Sequence, residues 1–203
     1  MIKNIIFDMG NVLIYFDRNK FMDAVGITDP EERRYIANEV YLSLEWSRMD
    51  RGSLTDAEAA EIMCSRMPEK YHDAVNRLVK EWDRPILPIP GMAELVRQLK
   101  EKRYGIYLLS NASYHQHDYW PEIPGSEYFD GTLVSADVKL VKPQPEIYRL
   151  LCEKFSLIPG ECVFIDDSTP NAEGAFYCGM RAIVFHNDVD ELRGKLRLLG
   201  VEI

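Results

Sequence analysis

Asp8, Ser110, Asn111, Lys142, Asp166 and Asp167 are the residues whose types could do chemistry together. Three of the positions they mark follow short apolar runs: Asp8 ends residues 2–7, Ser110 and Asn111 follow 105–109, and Asp166 and Asp167 follow 162–165. Runs this short and rich in Ile, Leu and Val read as strands buried on both faces of a parallel sheet. Ligands of such sheets bind beyond the carboxyl ends of the strands, so these polar residues would share one edge. Lys142, beside Pro143, opens the segment leading into a helix that carries Ile147. Singly, each has a plain structural explanation: a turn, a helix cap, a surface charge. Together, at four successive edges, they are better explained by one shared site.

Residue types then suggest a reaction. Three carboxylates at one edge repel one another unless a cation lies among them, and hard oxygen ligands with room for water suit Mg²⁺. Ser110 and Asn111 offer hydrogen-bond donors to phosphoryl oxygens, and Lys142 adds a point positive charge. A carboxylate that reaches phosphorus can act as a nucleophile and form an aspartyl-phosphate, which divides hydrolysis into two displacements.

The elements that must hold these residues follow from periodicity. Asp29-Pro30-Glu31-Glu32 reads as a helix start, and Thr55-Asp56-Ala57-Glu58 as a capping box before Ala59, Ile62, Met63 and Met67 at helical spacing. Tyr71, Val75, Leu78, Val79 and Trp82 mark another stripe. Residues 14–18 read as a turn leaving the core, 17–84 as an inserted helical bundle, and the proline-rich 85–90 as a stiff connection. Beyond it, helices at 92–99, 147–155, 172–178 and 192–199 alternate with strands at 105–109, 131–134, 162–165 and 182–185. The expected fold is α/β, a doubly wound parallel sheet formed by 1–16 and 85–203, with the bundle 17–84 inserted.

A chain of 203 residues that is 46% hydrophobic can build such a core. Its net charge of −9, with 24 basic against 33 acidic residues, argues against a nucleic-acid surface. No apolar run suits a bilayer span or a secretory leader, so a cytoplasmic location is expected. Cys64, Cys152, Cys162 and Cys178 lack metal-binding spacing and read as buried free thiols. The expected partner is a small-molecule phosphate ester, with no nucleic acid and no membrane.

Four ordered motifs make the chain similar to the haloacid dehalogenase (HAD) superfamily of aspartate-nucleophile phosphohydrolases. Phe7-Asp8-Met9-Gly10-Asn11-Val12 resembles the first, Leu108-Leu109-Ser110-Asn111 the second, Val141-Lys142-Pro143 with Glu146-Ile147-Tyr148 the third, and Phe164-Ile165-Asp166-Asp167-Ser168 with Asn171 the fourth. The resemblance implies that Asp8 is nucleophile and Mg²⁺ ligand, with the Gly10 carbonyl, Asp167 and Asp166 completing the metal set. It further implies that Ser110, Asn111 and Lys142, with Asn11, hold the phosphoryl group, and that the helical insertion is a cap that selects substrate. The first motif resembles in particular a branch that includes bacterial α-glucose-1-phosphate phosphatases. That agreement extends to Tyr119-Trp120-Pro121-Glu122 and Asp50-Arg51-Gly52.

One departure matters. Most phosphatases of this superfamily carry an acid two residues after the nucleophile, where this chain has Gly10. General acid–base help is worth about two to four orders of magnitude in rate. Three explanations stand: a leaving group that needs little protonation, such as the anomeric oxygen of a hexose 1-phosphate; a substitute acid, for which Asp17, His115 and His117 are candidates; or a protein that binds phosphorylated ligands without turnover. A haloacid dehalogenase needs no metal and would have little use for Asp166-Asp167. Trp46, Arg51, Tyr119 and Trp120 are candidates to line the pocket.

Overall fold

The computed structural model describes residues 1–203. Five strands, β1 (Asn4–Phe7), β2 (Gly105–Ser110), β3 (Gly131–Val134), β4 (Cys162–Asp166) and β5 (Arg181–Val184), form one sheet in the order β3-β2-β1-β4-β5. Every pairing is parallel. After β3 the chain crosses β1 to reach β4, so the strand order reverses around the central β1, where such sheets open a crevice.

The helices are α1 (Arg18–Ala24), α2 (Pro30–Ile36), α3 (Leu44–Asp50), α4 (Asp56–Ser65), α5 (His72–Lys80), α6 (Met92–Glu101), the short α7 (Gln116–Tyr119) and α8 (Ser135–Val138), α9 (Pro145–Phe155), α10 (Thr169–Tyr177) and α11 (Val189–Leu198). Alternate residues of β1 feed opposite layers because side chains of a strand alternate between faces. Ile5 and Phe7 pack with Leu95, Val96, Leu192 and Leu196 of α6 and α11. Ile6 packs with Ile147, Tyr148, Leu151 and Ala175 of α9 and α10. The sheet is therefore covered on both sides, as its unbroken apolar strands require.

Helices α1–α5 surround a separate apolar core that includes Phe21, Ile36, Val40, Met63, Val75 and Leu78. Asp29 caps α2 through the amides of Glu31 and Glu32, and Thr55 with Glu58 forms a complete capping box at α4. Between α2 and α3 the chain winds as a π-helical turn over Ala37–Tyr41, which periodicity does not signal.

The two passages between this helical unit and the sheet differ from the sequence expectation. Residues 14–18 are not simply a turn: Ile14 is buried in the main core and pairs antiparallel with Pro88. The Tyr15 amide donates to the Leu87 carbonyl at 2.8 Å, and the Ile89 amide to the Leu13 carbonyl at 2.9 Å. The proline-rich connection is thus a paired strap, in which Pro88 needs no donor because Tyr15 and Ile89 supply them. All four cysteines are free, but only Cys152 and Cys162 are buried, while Cys64 and Cys178 are half-buried. No helix is long and apolar enough to cross a membrane.

Candidate active site

Register fixes the floor of the site. Phe7 is level with Leu108 on one side and Ile165 on the other, so Asp8, Ser110 and Asp166 emerge at neighbouring strand ends. Asp166 is the last residue of β4 rather than the first beyond it, and is fully buried. The Asp8 amide still donates to the Ile165 carbonyl at 2.8 Å, after which the Met9 carbonyl gathers the amides of Val12, Leu13 and Ile14 into a tight loop. Asn11 turns that loop with a φ of 55°, a left-handed conformation that asparagine tolerates.

Lys142 joins the strand ends. Its Nζ lies 2.7 Å from Asp8 Oδ1 and 2.7 Å from Asp166 Oδ2, and donates to the Leu109 carbonyl at 3.0 Å. Its backbone is clamped by Asn111, whose Oδ1 accepts from the Lys142 amide at 2.8 Å while Nδ2 donates to the Lys142 carbonyl at 3.0 Å. Burial works against the Lys142 ammonium, but Asp8 and Asp166 outweigh it and hold its pKa above the ordinary lysine value. Burial pushes Asp8 up to about 7, opposed by Lys142 and reinforced by the charge of Asp166.

The remaining predicted residues divide by what their polar atoms already do. Asp166 accepts from the Ser168 amide at 2.8 Å and from Asn171 Nδ2 at 3.1 Å as well as from Lys142, so its oxygens are largely engaged. Asn11 lines the cavity above Asp8, yet its side chain donates to Asp167 at 3.0 Å and accepts from the Phe16 amide at 3.0 Å. Ser110 is the opposite case: its Oγ is buried without a hydrogen-bond partner beside these charges. An orphaned buried hydroxyl is costly unless a ligand completes it. Asp8, Asp166 and Asp167 present oxygens within 4.8 Å of one another. With Lys142 the only cation bonded among these three acids, the hard-oxygen set fits Mg²⁺.

A cavity of about 190 Å³ opens over Asp8 between the sheet edge and the helical unit. Its walls include Phe16, Trp46, Trp82 and Tyr119, with Asp50 and Ser113 as polar groups. Of the residues expected to line it, Trp46 and Tyr119 do. Arg51 and Trp120 do not: Arg51 is exposed, and Trp120 packs edge-on against Phe129.

The three candidate substitute acids also lie elsewhere. Asp17 caps α1 through the amides of Asn19 and Lys20. His117 pairs with Asp137 at 2.9 Å on the surface. His115 lies between Asp83 at 2.8 Å and Asp118 at 3.2 Å, outside the cavity wall, with Asp83 raising its pKa. The residue that sequence reasoning passed over is Asp50. It is the last residue of α3, and it faces the same cavity as Asp8. Its only sequence signal was its place in Asp50-Arg51-Gly52.

Comparison with known proteins agrees with this geometry. The haloacid dehalogenase-like hydrolase family matches residues 2–179. A D-ribitol-5-phosphate phosphatase of Bacteroides thetaiotaomicron is 28% identical over 187 residues, covering 84% of this chain and 85% of that protein. A phosphorylated carbohydrates phosphatase of Thermotoga maritima is 28% identical over 129 residues, covering 62% of this chain and 58% of its own. A HAD family enzyme of Bacteroides thetaiotaomicron, solved in complex with magnesium and inorganic phosphate, superposes with a TM-score of 0.69 at 26% identity, covering 95% of this chain and 99% of that one. The ordered motifs, the parallel sheet that collects them at one edge and the family match over most of the chain have one conclusion: this protein belongs to the haloacid dehalogenase-like hydrolases.

Proposed function

We propose that the protein is a Mg²⁺-dependent phosphatase of small phosphorylated sugars or sugar alcohols, acting through an aspartyl-phosphate on Asp8, with 17–84 as a cap over the core 1–16 and 85–203. The observation that carries this reading is the floor of the cavity, where Lys142 lies 2.7 Å from Asp8 and the Ser110 hydroxyl is buried with no partner. An anionic group bearing several acceptor oxygens satisfies both, and phosphate has that character.

In this reading the phosphoryl group rests on Ser110, Lys142 and the loop after Asp8, while Asn111 holds Lys142 in place. Asp8 attacks phosphorus, and water then cleaves the resulting mixed anhydride. Asp8, Asp167 and the Gly10 carbonyl would hold the metal, with Asp166 positioning Lys142 from below; bound there, Mg²⁺ supplies charge neutralisation for phosphoryl transfer. The aromatic walls offer flat apolar faces for a carbohydrate skeleton, and a cavity of about 190 Å³ is small beside the roughly 300–1,000 Å³ of sites for drug-sized ligands. The phosphatases of B. thetaiotaomicron and T. maritima support the same substrate class.

The test is kcat/KM across a panel: pentitol and pentose 5-phosphates, hexose 1- and 6-phosphates, nucleoside monophosphates and p-nitrophenyl phosphate. Sugar and sugar-alcohol phosphates should lead the nucleotides by at least about tenfold, a difference of 1.4 kcal/mol in transition-state binding. Nucleotides ranking first would reject the assigned class. Within the sugars, anomeric against primary esters decides whether the 1-phosphate branch resemblance extends to substrate.

A further inference from the structure

We infer that Asp50, delivered from the helical unit, is the general acid and base that the core lacks at Gly10; the inference rests on the phosphatase reading above.

Asp8 and Asp50 are the only carboxylic acids that line the cavity. The other ionisable side chain on its wall, Tyr119, is a buried phenol whose pKa burial drives well above the ordinary value. Asp50 is only half-exposed, and it faces the space a leaving group would fill. The loop after it is fastened to the sheet. Ser135 Oγ, which accepts from the Ala112 amide at 2.9 Å, donates to the Asp50 carbonyl. Two residues on, Gly52 adopts a φ of +71°, and a Cβ there would stand 2.2 Å from the Ala136 carbonyl oxygen, so only glycine lets the loop lie this close. Ser113, on the cavity wall, donates to Asp56 at 3.2 Å from the other end of the loop. Contacts from α8 and from the segment after β2 thus hold the Asp50 loop against the sheet unit, at the cavity that Asp8 also lines. Burial, with the nearby charges of Asp56 and Asp8, pushes the Asp50 carboxyl up to about 8, so it carries a proton at neutral pH.

The proton balance closes. As Asp8 Oδ bonds to phosphorus, the ester P–O bond breaks and its electron pair stays on the ester oxygen, which takes the Asp50 proton and leaves as an alcohol. The Asp50 carboxylate then takes a proton from water as that water attacks phosphorus. The P–Oδ bond breaks, inorganic phosphate departs, and both aspartates return to their starting states. Because Asp50 comes from the helical unit, acid–base catalysis would exist only while that unit is docked on the sheet.

The test compares wild type, Asp50→Asn, Gly10→Asp and the double variant, with Mg²⁺, on p-nitrophenyl phosphate and on the best sugar phosphate. p-Nitrophenolate leaves without a proton. With it, Asp50→Asn should give a burst of one nitrophenolate per enzyme followed by slow turnover, and intact mass should show the protein carrying one phosphoryl group. On the sugar phosphate, kcat should fall about 10²–10⁴-fold. Gly10 has room for a side chain, since a Cβ there meets nothing nearer than Phe16 Cβ at 3.8 Å. Gly10→Asp should therefore restore turnover to Asp50→Asn on the sugar phosphate. A large gain in wild type from Gly10→Asp would show that no acid was in place and would overturn the proposal, whether or not Asp50→Asn folds. So would equal losses on both substrates with no burst and no phosphorylated protein, or a raised KM with kcat kept, which marks a substrate contact. Wild type that releases phosphate from neither ester would sink the phosphatase reading and this proposal together.

Discussion

Asp8 and Asp50 line the same cavity but keep different company. Lys142 lies directly on Asp8, whereas the groups acting on Asp50 are mainly other acids, Asp56 and Asp8. Both pKa values lie above the ordinary carboxylate value, at about 7 and about 8. The sign of the linkage follows: in the unfolded chain these groups lose their protons near the ordinary value, and in the folded chain they keep them until pH 7–8. Stability is therefore greatest below the unfolded pKa and is lost as pH rises toward the folded values. Urea midpoints of metal-free protein should fall between about pH 5 and pH 8, and Asp50→Asn should flatten that fall by removing one of the two groups. An unchanged pH dependence in Asp50→Asn would mean that the carboxyl titrates normally. At this scale the sequence was legible where a residue ended a strand, as for Asp8, Ser110 and Asp166. It marked Asp50 only through Asp50-Arg51-Gly52 and gave it no role, because only docking against Ser135 and Ala136 brings it to the site. It also could not show that the Asn11 side chain is engaged by Asp167 and Phe16 while the Ser110 hydroxyl is unpartnered.

Among the elements, the loop joining α3 to α4 links packing to chemistry. Gly52→Ala imposes a left-handed alanine, which costs about 1–3 kcal/mol, and drives its Cβ into the Ala136 backbone. Gly26→Ala imposes similar strain at φ +79°, with nothing within 4 Å of the added carbon. Both variants should lose stability by urea titration, but only Gly52→Ala should also lose kcat on sugar phosphates, because only it displaces Asp50. Equal activity in the two would dissociate the loop from catalysis. The strands were legible because each is an uninterrupted apolar run, and the capped helices because Asp29 and Thr55 announce them. The strap between 13–15 and 87–89 was not, because each half is too short for a period and the proline-rich 85–90 read only as a stiff connection. The pairing uses the amides of Tyr15 and Ile89.

For the molecule as a whole, the sheet collects Asp8, Lys142 and an acidic set at one edge, and a helical unit with its own core walls the space above them. The order of the motifs carried the fold and the family. The cavity is walled by side chains from both units, among them Trp46, Trp82 and Tyr119, whose meeting depends on how the two dock and so left little trace in the sequence. The most direct measurement is inorganic phosphate released from a sugar phosphate by wild type and Asp8→Asn, each with Mg²⁺ and with chelator. Release by wild type that needs the metal and is abolished in a folded Asp8→Asn is the predicted result. Release that persists in Asp8→Asn, or that is indifferent to chelator, would contradict a metal-dependent phosphatase built on Asp8.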